Sequence, residues 1–136
     1  MRTLQTSNFL RWVLAADATT SVVTGLLMVL DTELLERLFG LSPLLLRGAG
    51  LACLGFAAFL FYLITRKEMA APLVWAVIVL NVLWVGDSFL LLVSGWVAPT
   101  TLGTAFVITQ ALGVALLAEL EYVGLKKSPA RPQFEF

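Results

Sequence analysis

Four long apolar runs alternate with short polar breaks along this chain. The first, 9–30, holds 22 residues. As a helix it measures about 33 Å, enough to cross a hydrocarbon core of roughly 30 Å. The others are 43–65, 72–94 and 99–124. Between the first two, 31–41 reads DTELLERLFGL. Leu34, Leu35, Leu38 and Phe39 fall on one side of that segment and Glu33, Glu36 and Arg37 on the other, which predicts a short helix lying in the interface. Gly40 is suited to end it. Ser42-Pro43 offers an N-cap followed by proline at the first helical position, and the same punctuation recurs at Ala71-Pro72 and Ala98-Pro99. Ser7 or Asn8 is expected to cap the first helix. Arg66, Lys67 and Glu68 read as a tight polar turn. The pattern predicts an all-α membrane protein, a four-transmembrane-helix bundle with a short interfacial helix between spans one and two. The domain covers 1–125, followed by an exposed cytoplasmic tail over 126–136.

Polar residues inside the apolar runs are where chemistry can reside, because an ionisable group in a bilayer needs a partner or water. The third span carries Asn81, Trp84, Asp87 and Ser88, read as one broad helical face. The first carries Asp17, Thr20, Ser21 and Thr24 at i, i+3, i+4 and i+7. Hydroxyls alone fit bonding to their own helix, but a carboxyl group eight or nine residues into a span does not. Asp17, Asn81 and Gln110 are expected near the mid-plane on three spans. Converging, they would form a polar pocket with Thr20, Thr24 and Trp84; apart, each would bond between helices. Asp17 is expected to be protonated part of the time. Depth suggests an ion-pair clamp between Arg47 and Asp87 in the outer half. On the inner side Arg11 and Glu119 either pair or reach the headgroups. Gly48, Gly50, Ala52, Gly55, Ala57 and Ala58 give span two a small-residue surface for close helix approach.

Composition narrows the options further. The chain of 136 residues is 60% hydrophobic and 13% charged, with a mean hydropathy of +0.93. A soluble domain of this size could not hide so much apolar surface. Basic and acidic residues cancel at nine each, so net charge provides no attraction to nucleic acid. Their placement is more informative. Arg2, Arg11, Arg66, Lys67, Lys126, Lys127 and Arg131 gather on the side of both termini, against Arg37 and Arg47 on the other, which places the termini in the cytoplasm of an inner-membrane protein. Arg11 and Asp17 interrupt any signal-peptide core. Histidine is absent and Cys53 is the only cysteine, so neither metal and haem sites nor a thiol relay is expected, and no cofactor. A shift of 64 residues lays Asp17 on Asn81 and Thr24 on Ser88, a candidate repeat of spans one and two in spans three and four.

The order of a polar first span, an outward LFGL segment and then LLRGAGLACLGFAAFLFYL resembles small bacterial four-span inner-membrane proteins of the DoxX-like group, over about residues 9–124. The resemblance implies fold and location and supplies no catalytic motif. Two functions remain open. One is a non-enzymatic accessory or assembly bundle that binds a membrane partner or a lipid-like molecule. The other is a compact proton-coupled transporter acting as an oligomer, similar in size to the small multidrug-resistance proteins, with Asp17 as its carboxylate. The expected partners are membrane lipids and either a larger membrane complex or further copies of the chain.

Overall fold

In a hydrocarbon solvent every backbone N–H and C=O must be satisfied within the chain, and helices do this locally. The computed structural model, which describes residues 3–5 and 8–127, accordingly consists mainly of helix. In chain order the elements are β1 (Thr3–Gln5), α1 (Asn8–Leu30), α2 (Thr32–Phe39), α3 (Pro43–Thr65), β2 (Glu68–Ala70), α4 (Ala71–Ser94) and α5 (Thr101–Lys127). Helices α1, α3, α4 and α5 are each long and apolar enough to cross a membrane. The protein is a multi-pass membrane protein, with the short helix α2 between spans one and two. Large apolar side chains such as Leu44, Val93 and Trp12 point outward, where lipid rather than water accommodates them.

Capping follows the local chemistry. Ser42 Oγ accepts from Leu45 N–H at 3.1 Å, with Pro43 in the first turn of α3. Gly40 ends α2 at φ 69°, donating its N–H to Glu36 O. Helix α5 begins later than Pro99 suggests. Thr100 caps it by accepting from Gly103 N–H at 3.0 Å, while its own N–H and hydroxyl donate to the carbonyls of Phe39 and Leu38 at 2.9 and 2.6 Å. The C-terminal carbonyls of α2 are thereby satisfied by the start of α5. Helix α1 begins at Asn8 itself, and Ser7, the other expected cap, lies outside the described residues. Helix α5 runs to Lys127, so Lys126 and Lys127 belong to the span; the rest of the expected tail lies outside the described residues.

The polar turn at 66–68 departs from expectation. Glu68–Ala70 pairs antiparallel with Thr3–Gln5 in the register Thr3↔Ala70, Leu4↔Met69 and Gln5↔Glu68. Strand pairing satisfies the backbone where α3 has ended and α4 has not begun. A three-residue strand is too short to leave a readable alternation.

Packing joins the helices in two pairs, α1 with α3 and α4 with α5, and α1 against α5 connects the pairs. The α1–α3 crossing is close: a Cβ on Gly25 would lie 2.9 Å from Gly50 O, and one on Gly50 3.0 Å from Gly25 O. Only part of the expected small-residue surface is used here, since Gly50 and Ala57 are buried while Gly48, Ala52, Gly55 and Ala58 are exposed. Leu10, Leu14, Leu60, Leu63, Val74 and Val77 form a core at the end of the termini. Met28, Phe39, Leu41, Leu46 and Val107 form another at the far end, where Phe39 stacks on Phe106 at 4.5 Å.

Candidate functional site: a buried carboxyl pair and two cavities

Between the two cores the helices separate around a cavity of about 740 Å³, within the size range of small-molecule sites. Asp17, Thr20, Thr24, Asn81, Trp84 and Gln110 all line it. The rest of the wall is mainly apolar, with Phe56, Phe59, Leu80 and Leu117. Cys53 faces the same space from α3. Exposed residues from α3 and α4, Ala52, Gly55 and Leu80, also line it. The cavity is therefore accessible from the flank of the bundle, between two helices that make little direct contact.

At its wall lies a buried polar cluster. The Asn81 amide nitrogen donates to Asp17 Oδ2 at 2.8 Å and to Glu121 Oε1 at 2.6 Å. These residues come from α4, α1 and α5, so one side chain joins both helix pairs. Asp17 is 2% exposed and Glu121 fully buried, and Glu121 Oε2 has no hydrogen-bond partner. Sequence reasoning assigned Gln110 to this group and missed Glu121. Glu119 drew attention on α5, yet it is exposed. The missed signal lay in the small residues: Ala118, Glu121 and Gly124 recur every three positions on one buried stripe, whereas two positions of helix rotate Glu119 by about 200°.

Gln110 lines the cavity but bonds elsewhere. Trp84 Nε1–H donates to Gln110 Oε1 at 2.7 Å, Gln110 Nε2 donates to Ser88 Oγ at 2.9 Å, and Ser88 Oγ donates to Trp84 O at 2.8 Å. This closed ring borders a second cavity of about 320 Å³, lined also by Met28, Leu46, Asp87 and Trp96. Thr24, Trp84 and Gln110 belong to both walls. The two cavities thus lie in series along the bundle, divided by a hydrogen-bonded tryptophan. Thr20 faces the larger one, but its hydroxyl donates to Ala16 O at 2.8 Å, as an isolated helix would arrange it.

Neither expected ion pair forms. Arg47 and Asp87 are both exposed, on helices whose main partners are α1 and α5 respectively. Six positions of helix also turn Asp87 about 120° away from Asn81, so it borders the smaller cavity beside Trp84 and Ser88 and does not join the Asn81 cluster. Arg11 does act as a structural tie, though to carbonyls rather than to Glu119. Its guanidinium donates to Ile64 O, to Arg66 O at 3.0 Å and to Lys67 O at 3.4 Å. These carbonyls lie at and just beyond the end of α3, where a cation is also favoured by the helix dipole.

Among the described residues no group of three or more His, Cys, Asp or Glu is placed to hold a metal ion. What the site offers is a hydrogen-bonded carboxyl pair at the edge of an apolar chamber. No protein-family model, curated protein or solved structure matches this chain.

Proposed function

We propose that this protein is a non-enzymatic membrane protein that binds a lipid-like amphiphile in its intramembrane cavity, as an accessory or assembly component of the membrane. The observation that carries the reading is a chamber of about 740 Å³ that is apolar over most of its wall and polar at one edge, where Asp17 and Asn81 lie. An amphiphile has the same asymmetry. A headgroup at that edge replaces lost water with hydrogen bonds, while its chain lies against Phe56, Phe59 and Leu80 and leaves by the flank between α3 and α4. Entry from the side suits a molecule already dissolved in the bilayer.

The termini are assigned to the cytoplasm of a bacterial inner membrane. In support, cation–aromatic pairs gather at that end: Arg66 over Tyr62 at 4.9 Å, Lys126 over Tyr122 at 4.8 Å and Lys127 over Phe9 at 4.7 Å. Aromatic and basic residues favour the interface, and basic ones its cytoplasmic side. The DoxX-like resemblance agrees with this placement.

A second reading, proton-coupled transport by an oligomer, is favoured by one feature. The two cavities in series, divided by Trp84 and Gln110, provide a path with a carboxyl pair beside it. Purification from native membranes in mild detergent, followed by mass spectrometry, separates the two. The binding reading expects a stoichiometric amphiphile that shields Cys53 from alkylation, and protein with no bound amphiphile and a freely reactive Cys53 would sink it. Proton-driven flux in proteoliposomes that Asp17→Asn abolishes would establish transport instead.

A further inference from the structure

The hydrogen bonds around Asn81 fix where charge resides in the cluster. Its amide has two hydrogens, and one goes to each carboxyl group. That leaves Glu121 Oε2 enclosed, with no donor. One amide nitrogen, 2.8 Å from an Asp17 oxygen and 2.6 Å from a Glu121 oxygen, holds the two carboxyl groups side by side. Two carboxyl groups bond only through a proton. A proton on Glu121 Oε2 makes the orphaned oxygen a donor to Asp17. Asp17 then receives two donors, from Asn81 and from Glu121, and charge-assisted bonds of this kind help sustain an ionised carboxylate away from water. Glu121 is the neutral acid, and one negative charge remains on the residue that faces the cavity.

No described residue of the cavity wall balances that charge. Among the described residues lining the cavity none is basic. Arg11, on the same helix, is held by the carbonyls at the end of α3. The Cys53 thiol across the cavity brings no positive charge. A lone charge in hydrocarbon calls for a partner, and the chamber is too large and too apolar to be shaped for a single small ion.

Resting on the binding reading above, we infer that the amphiphile's headgroup is a monovalent cation, an amine or quaternary ammonium group, seated against Asp17. The net charge of headgroup and cluster is then zero.

The test uses the full chain in phosphatidylcholine nanodiscs, with the rate of Cys53 alkylation by N-ethylmaleimide as the readout. Dodecyltrimethylammonium and dodecanol share a chain length and differ in headgroup charge. The cation is expected to halve the rate at a concentration at least about tenfold below that of dodecanol. Asp17→Asn should remove the cation's advantage and leave protection by dodecanol; comparing the two proteins cancels bilayer partitioning. Glu121→Gln, which fixes the neutral form, should leave a preference of the wild-type sign. If Asp17→Asn does not fold, dodecyl sulfate replaces it, and the anion must fail to protect where the cation succeeds. Equal protection by cation and alcohol, or a preference that survives Asp17→Asn, overturns the charge assignment and leaves the cavity reading standing. Failure of every probe to protect Cys53 overturns both.

Discussion

The amide of Asn81 reaches Asp17 across 64 residues of sequence at 2.8 Å, and these are the two positions that the 64-residue shift superimposes. Their helices, α4 and α1, have other main packing partners. The contact therefore joins two helix pairs that hydrocarbon alone does not press together, since lipid is as apolar as the leucines it would replace. Polar contacts and close packing carry the tertiary structure instead.

Asn81→Leu is expected to destabilise the bundle by about 1–3 kcal/mol, because it removes both donors and leaves two buried carboxyl groups without them. Thermal unfolding in mild detergent would register a lower midpoint. A midpoint equal to that of the wild type would mean that the cluster does not hold the helix pairs together.

A methyl group at Gly103 would overlap the Phe39 carbonyl, the acceptor of the Thr100 N–H bond. Gly103→Ala should cost about 1–3 kcal/mol by forcing α2 away from α5. Gly86 has open space around it, so Gly86→Ala should be neutral or stabilising by up to about 1 kcal/mol through helix propensity. Equal effects in unfolding experiments would refute the α2–α5 docking geometry.

Arg11→Lys keeps the charge but loses the planar fork that serves several carbonyls at once. Faster amide hydrogen exchange around Arg66 to Ala70 is expected, with the neighbourhood of Asn81 unaffected. Unchanged exchange at the end of α3 would argue that those carbonyls do not need the guanidinium.

Trp84→Phe retains an aromatic ring but removes the indole donor to Gln110. The wall between the cavities should loosen and Cys53 should react faster with alkylating reagents added from the Trp96 end. A loss of about 1 kcal/mol in stability should accompany it, from the half-buried Gln110 acceptor left without its donor. Identical labelling rates in wild type and variant would show that this ring does not divide the two spaces.

The sequence by itself determined the four spans and the amphipathic helix between them, because burial in lipid demands runs of a set length and each run writes its own caps, as at Ser42-Pro43 and Gly40. It also identified Asp17 and Asn81, since polar groups in apolar runs stand out against a uniform background. Only the tertiary structure decided the partners. Arg11 meets carbonyls that have no sequence signature, Arg47 and Asp87 stay apart because α3 and α4 pack on different partners, and Glu121 meets Asp17 through Asn81 because α5 turns its small-residue stripe toward α1. Depth along a helix is legible from residue counts. Which helices are neighbours, and how each is rotated, depends on close approaches such as Gly25 against Gly50 that involve the whole bundle at once.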